Sequence, residues 1–171
     1  MLFAVYPERA PAYRTGGATL LLAAAVILAA LAFEHLGGYA PCPLCLQQRY
    51  AYYAGVPALF LALVLLSAGY ARVAAAVFLL VAAGFLANAG LGAYHAGVEW
   101  KFWPGPDTCA GAAQPLSTGG GLLEDLATAR VIRCDEAPWQ FLGLSLAGWN
   151  VVASLFLAAG AASAALKALR S

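Results

Sequence analysis

Charge is what this sequence has least of. Only 10% of its 171 residues are Asp, Glu, Lys or Arg, against about 25% in ordinary soluble domains. With 63% hydrophobic residues and a mean hydropathy of +0.79, the chain lacks the polar surface a soluble fold needs, and a membrane protein is indicated. A net charge of +1 leaves no basic footprint for nucleic acid. Histidine is nearly as scarce, with 2 in the chain. Both, His35 and His95, fall at the edges of apolar runs, which argues against a haem held between paired axial ligands inside a bundle. No dinucleotide-binding glycine fingerprint is present. Covalent c-type haem needs His directly after a Cys-x-x-Cys pair, and here Leu46 follows Cys45.

What is present is four long apolar runs, at about 17–36, 45–66, 73–94 and 144–166. At about 1.5 Å of rise per residue, each can cross a hydrocarbon core of about 30 Å as a helix. The first is preceded by Arg9 and Arg14 and followed by no small-residue cleavage pattern, so it reads as a retained span. Gly55 and Pro57 interrupt the second, where a kink is expected. Only Ser67 to Arg72 separate the second from the third, which makes those two an antiparallel hairpin. The expected fold is an all-α membrane protein, a single four-helix transmembrane bundle over residues 1–171. Two loops, about 37–44 and 95–143, lie on one side of it.

Lys and Arg in the flanks set the orientation. Arg9, Arg14, Arg72, Lys167 and Arg170 closely flank the spans on one side. On the other side the long insertion holds 3 bases against 6 acids. Both termini are therefore expected in the cytoplasm, with all four cysteines on the oxidising, periplasmic face, where disulfides persist. Within the insertion, residues 122–132 carry apolar positions at helical spacing, a short amphipathic helix that can lie on the bilayer surface. Trp100, Phe102, Trp103 and Trp139 are its expected interfacial anchors.

The chemistry lies in the cysteines. Cys42 and Cys45 form a Cys-x-x-Cys pair at the head of the second span, with Arg49 four residues on, while Cys109 and Cys134 lie far apart in the insertion. Three pairings are possible and the spacing does not choose among them. Two permanent bridges would add little to so apolar a bundle. A zinc site is poorly served, because Cys109 and Cys134 do not form a second knuckle. Thiol–disulfide exchange is the reading that uses both pairs: a dithiol substrate exchanges with the loop pair, and the loop thiols with the helix-head pair. The helix-head thiols must then discharge two electrons, and at a membrane edge without metal or dinucleotide the acceptor indicated is a lipid-soluble quinone. Arg49, one helical turn beyond Cys45, can stabilise a thiolate and a quinone oxygen.

These motifs resemble the bacterial disulfide-bond-formation protein B (DsbB) family. The resemblance rests on Cys42-Pro43-Leu44-Cys45 with Arg49, on Tyr94-His95-Ala96-Gly97-Val98-Glu99-Trp100 leading through Trp103-Pro104-Gly105-Pro106 to Cys109, and on Cys134-Asp135 before Pro138-Trp139-Gln140-Phe141-Leu142-Gly143-Leu144-Ser145. It covers nearly the whole chain. The resemblance implies an inner-membrane enzyme that reoxidises a periplasmic DsbA-like thioredoxin-fold oxidase at the expense of ubiquinone or menaquinone. It implies a Cys109–Cys134 disulfide that meets the partner through Cys109, after which Cys134 engages Cys42. Cys45 is then the thiolate beside the quinone, supported by Arg49, with His95 nearby. The family often carries Glu where this chain has Gln48, which puts a proton-handling role at that position in doubt. Two alternatives differ in class: a quinone reductase like the vitamin K epoxide reductases, whose Cys-x-x-Cys normally sits late in the bundle, and a non-enzymatic adaptor with structural disulfides.

Overall fold

The computed structural model describes residues 7–106, 133–137 and 139–171. Cys109 and the expected amphipathic segment 122–132 lie outside them. The described chain is built on four long helices: α1 (Ala10–His35), α2 (Pro43–Ser67), α3 (Ala71–Glu99) and α4 (Leu146–Leu169). Each is long and apolar enough to cross a membrane. The helices form a ring in which α1 and α3 each pack on both α2 and α4, while α2 and α4 have few close approaches and meet through Asn150 against Gln48 and Tyr52.

Small side chains let these helices approach. Along α4, Ala161, Ala164 and Ala165 have no exposed surface, and they face a core that includes Leu59, Leu66, Phe78 and Leu157. With lipid outside rather than water, such close van der Waals packing is the main source of helix association. Gly55 serves the same end, since a Cβ there would lie 2.9 Å from the Phe85 ring. The outward faces carry exposed Leu21, Leu28, Phe60, Leu80 and Phe156, as a lipid-facing surface requires. Helix α2 continues through Pro57 to Ser67.

Two of the helix ends that differ from the sequence expectation shape the site. Helix α2 begins at Pro43, two residues before the expected start. Proline at the first helical position already has the right φ, and it drives the preceding residue into extended backbone. Cys42 accordingly sits at φ −74°, ψ 164° and becomes the N-cap, its Sγ accepting the Cys45 backbone N–H at 3.2 Å. Helix α3 runs past Tyr94 to Glu99, into the stretch expected to be loop. The indole of Trp103 folds back over this last turn and donates from Nε1 to the Tyr94 carbonyl at 3.0 Å. Only glycine fits beneath the ring, because a Cβ on Gly97 would come within 2.1 Å of it.

Before α4 the chain forms a small antiparallel hairpin, β1 (Gln140–Phe141) and β2 (Leu144–Ser145), with Gln140 opposite Ser145. Its two turn residues, Leu142 and Gly143, both adopt positive φ, 53° and 79°, as a tight hairpin turn demands. Ser145 then caps α4 by accepting the Gly148 N–H at 3.2 Å.

Candidate functional site

The Cys-Pro sequence brings both sulfurs of the Cys-x-x-Cys pair to one helix N-terminus. They lie 2.7 Å apart, both free, and a small rotation would bring them to the roughly 2.05 Å of a disulfide. Unsatisfied N–H groups and the helix dipole favour negative charge at such a position. The Cys42 thiol is accordingly pulled down to about 5, chiefly by its hydrogen bond with Cys45 and further by His95, against the opposing effect of burial. Because this value is below that of an unfolded thiol, ionisation stabilises the reduced protein. That contribution is complete above the ordinary thiol value and is lost as pH falls through about 5. Ultraviolet thiolate absorbance of the reduced protein should therefore titrate with a midpoint near 5, and a single midpoint near 8.5, the free thiol value, would contradict this account.

The two sulfurs face different ways. Cys45 lines a cavity of about 480 Å³ between α1, α2 and α4. Cys42, 4% exposed, is absent from that wall and clusters instead with Leu44 and Cys134, itself 1% exposed. Cys134 is disulfide-bonded. Cys134 packs into the head of α2. An ionic clamp on the neighbouring residue holds it there: Lys101 Nζ meets the Asp135 carboxylate at 2.6 Å and its carbonyl at 2.8 Å, while Arg133 donates to both carboxylate oxygens at 2.8 and 2.9 Å. Arg133 and then Lys101 hold the Asp135 carboxyl well below the usual carboxylate range.

The cavity is apolar except at the end nearest the cysteines. Phe33, Tyr39, Trp139, Phe141 and Trp149 supply an aromatic wall, and Cys45, Gln48, Arg49 and His95 gather at the polar end. Trp139 stacks on Phe141 with ring centroids 5.8 Å apart, so it belongs to this wall rather than acting only as an interfacial anchor. Such walls take a planar ring against their faces.

Arg49 is not free at this site, which the sequence reading did not foresee. Its Nη1 donates to the Glu34 carboxylate in a tight ion pair, and Nη2 reaches the Ala30 carbonyl at 3.3 Å. His95 is buried, 2% exposed, and touches both halves of the site. Its Nε2 lies 3.6 Å from Cys42 Sγ, and the Cys134 main chain also meets its ring. On the other edge Gln48 Nε2 lies 2.8 Å from His95 Nδ1, while Gln48 Oε1 accepts from Asn150 Nδ2 at 2.6 Å. The Asn150 bond orients the Gln48 amide, so Gln48 donates to Nδ1 and the imidazole proton resides on Nε2. Beyond Asn150 the network continues to Tyr52, whose hydroxyl donates to Asn150 Oδ1 at 2.7 Å, and to Asn88, which donates to Ser154 at 3.0 Å.

Among the described residues, Cys42, Cys45 and His95 place their ligand atoms within 4.8 Å of one another. A thiophilic metal needs the Nε2 lone pair, however, and the Gln48 hydrogen bond puts a proton there.

The sequence profile DsbB, disulfide bond formation protein DsbB, matches residues 14–164. Disulfide bond formation protein B of Xanthomonas oryzae pv. oryzae (strain MAFF 311018) is 36% identical over 161 residues, covering 88% of each chain. The protein of that name from Methylococcus capsulatus (strain Bath) is 32% identical over 149 residues, 81% of this chain and 85% of the relative. That from Aromatoleum aromaticum is 31% identical over 141 residues, 71% of this chain and 73% of the relative. No solved structure gives a significant match.

Proposed function

The chain belongs to the disulfide bond formation protein DsbB family and is thus a multi-pass membrane thiol oxidase that forms disulfides, and from that premise we propose that it reoxidises a periplasmic DsbA-like dithiol protein and passes the electrons to a membrane quinone. The observation that carries this reading is the division of the Cys-x-x-Cys pair. Cys42 faces Cys134, and Cys45 faces a cavity of about 480 Å³ whose polar end holds Gln48, Arg49 and His95. That division supports a relay in which one sulfur receives electrons from the loop and the other releases them.

In this reading the four cysteines divide the work. Cys109 forms the mixed disulfide with the partner, and the freed Cys134 attacks Cys42. That attack leaves the electron pair on Cys45, which faces the cavity. The donor set suits a quinone: aromatic and aliphatic side chains hold an apolar ring and tail, while the Arg49 guanidinium supplies donors for a carbonyl oxygen. Bound there, a quinone supplies a two-electron, two-proton acceptor. In this reading both termini lie in the cytoplasm of a bacterial inner membrane, supported by the cationic flanks at Arg9, Arg14, Arg72, Lys167 and Arg170, and the cysteines lie on the periplasmic side.

Purified protein mixed with a reduced thioredoxin-fold partner and either ubiquinone or menaquinone tests this reading. Quinone absorbance should fall in step with partner oxidation, one quinone per dithiol. Partner oxidation with quinone unchanged would assign the electrons to another acceptor. Four cysteines that stay unreactive toward alkylation after exposure to reduced partner would favour the adaptor.

A further inference from the structure

The cluster beside Cys42 contains a second acid for which the relay has no use. Glu99, at the last position of α3, is a carboxyl with a 5% exposed side chain. Its Oε2 accepts a short hydrogen bond from the Ser145 hydroxyl. Its Oε1 lies 3.9 Å from His95 Nε2, the nitrogen that is also 3.6 Å from Cys42 Sγ. Two acids thus converge on one imidazole N–H, beside the Cys134 main chain. The other side of the ring is occupied by Gln48, which donates to Nδ1.

Neutral imidazole offers one proton to this arrangement, and a buried anion needs a partner. While Cys42 is bonded to another sulfur it carries no charge, and Glu99 can be the anion facing His95. Once Cys42 is released as a thiolate, two anions would share a single N–H. The other charged groups do not relieve this. Arg49 is committed to Glu34 across the cavity, and Lys101 and Arg133 are committed to Asp135. Cys45 is the second sulfur of the pair, Cys134 is in a disulfide, and Ser145 is uncharged.

We propose that Glu99 is a redox-linked proton holder, a positioning residue acting through His95, which is protonated when the Cys42–Cys45 disulfide is reduced and releases its proton when that disulfide re-forms. Reduction by a dithiol delivers two electrons and two protons; the sulfur–sulfur bond breaks, Cys45 takes one proton, Cys42 remains a thiolate and Glu99 takes the other. Re-oxidation forms the bond again and frees both protons, which match the two that a quinone needs on becoming quinol. Releasing its proton returns Glu99 to the anion that faces the His95 Nε2–H. The inference deepens the quinone reading and rests on it only for the destination of the proton.

The first test therefore uses quinone-free protein. The infrared difference spectrum, reduced minus oxidised, should gain one protonated-carboxyl band, lost in Glu99→Gln and displaced in frequency in Glu99→Asp. In Glu34→Gln, which removes the other carboxyl at the site, the band should remain. A band that survives unchanged in Glu99→Gln, or no band in the parent, overturns the proposal whatever quinone does. In turnover, Glu99→Gln should lower kcat by about 100-fold, the lower end for a positioned acid–base group, with KM for quinone within about twofold of the parent and one limb of the pH profile lost. A uniform loss at every pH would make Glu99 merely structural. If the parent fails to reduce quinone while the carboxyl band appears, the quinone reading fails and the proton-holding role stands.

Discussion

Cys45→Ser is expected to stop quinone reduction by reduced partner, with a loss of at least about 10³-fold, the scale on which removal of a nucleophile acts. Cys45 is the sulfur on the cavity wall, while Cys42 is 4% exposed and packed with Cys134. Serine keeps the size and can still hydrogen-bond, but an alcohol neither forms a disulfide with Cys42 nor carries the electron pair. Exchange upstream should persist: a single turnover with reduced partner should still yield the mixed disulfide at Cys109, and Cys134→Ala should trap it. Stopped-flow quinone absorbance and non-reducing electrophoresis read the two halves separately. Normal quinone reduction by Cys45→Ser would reverse the assignment of the two sulfurs.

The four helices were legible in the sequence because each is a continuous apolar run at the length a bilayer imposes. The head of α2 was legible in part: Cys42-Pro43 contains the rule that extends a residue before proline, and this rule makes Cys42 the N-cap and starts the helix at Pro43 rather than near Cys45. The end of α3 was not read correctly. Polar residues after Tyr94 suggested a loop, whereas Trp103 returns to cover Gly97 and keeps the helix going to Glu99. That extension turns His95 and Glu99 into an i, i+4 pair on one helix face, a spacing the sequence contains but which means nothing in a loop. The partners that define the site join distant elements. Glu34 reaches Arg49, Gln48 reaches His95, and Ser145 reaches Glu99, across 15, 47 and 46 residues. No local periodicity encodes such pairings. Gln48 illustrates this best, since nothing local marks its amide as donating to His95 and accepting from Asn150.

Arg49→Leu is expected to raise KM for quinone by about 10- to 100-fold, the worth of a hydrogen bond from a charged donor, about 1.5–3 kcal/mol. It should also destabilise the bundle, because Glu34 would be left as a carboxylate without its cation. The pair is largely shielded from solvent, with side chains 11% and 26% exposed, so this second effect is real but smaller than for a pair sealed in a core. A double variant separates the two effects. Glu34→Gln alone should change KM by less than about threefold, since Arg49 keeps its charge and its bond to the Ala30 carbonyl. Arg49→Leu with Glu34→Gln should recover thermal stability lost in Arg49→Leu, because the orphaned charge is gone, while KM stays high. Restored affinity in the double variant would mean that Arg49 serves only to neutralise Glu34. The milder Arg49→His should follow the same order, weakening quinone binding more than partner exchange, because imidazole is shorter and cannot span from Glu34 to a ring oxygen with a planar fork of donors.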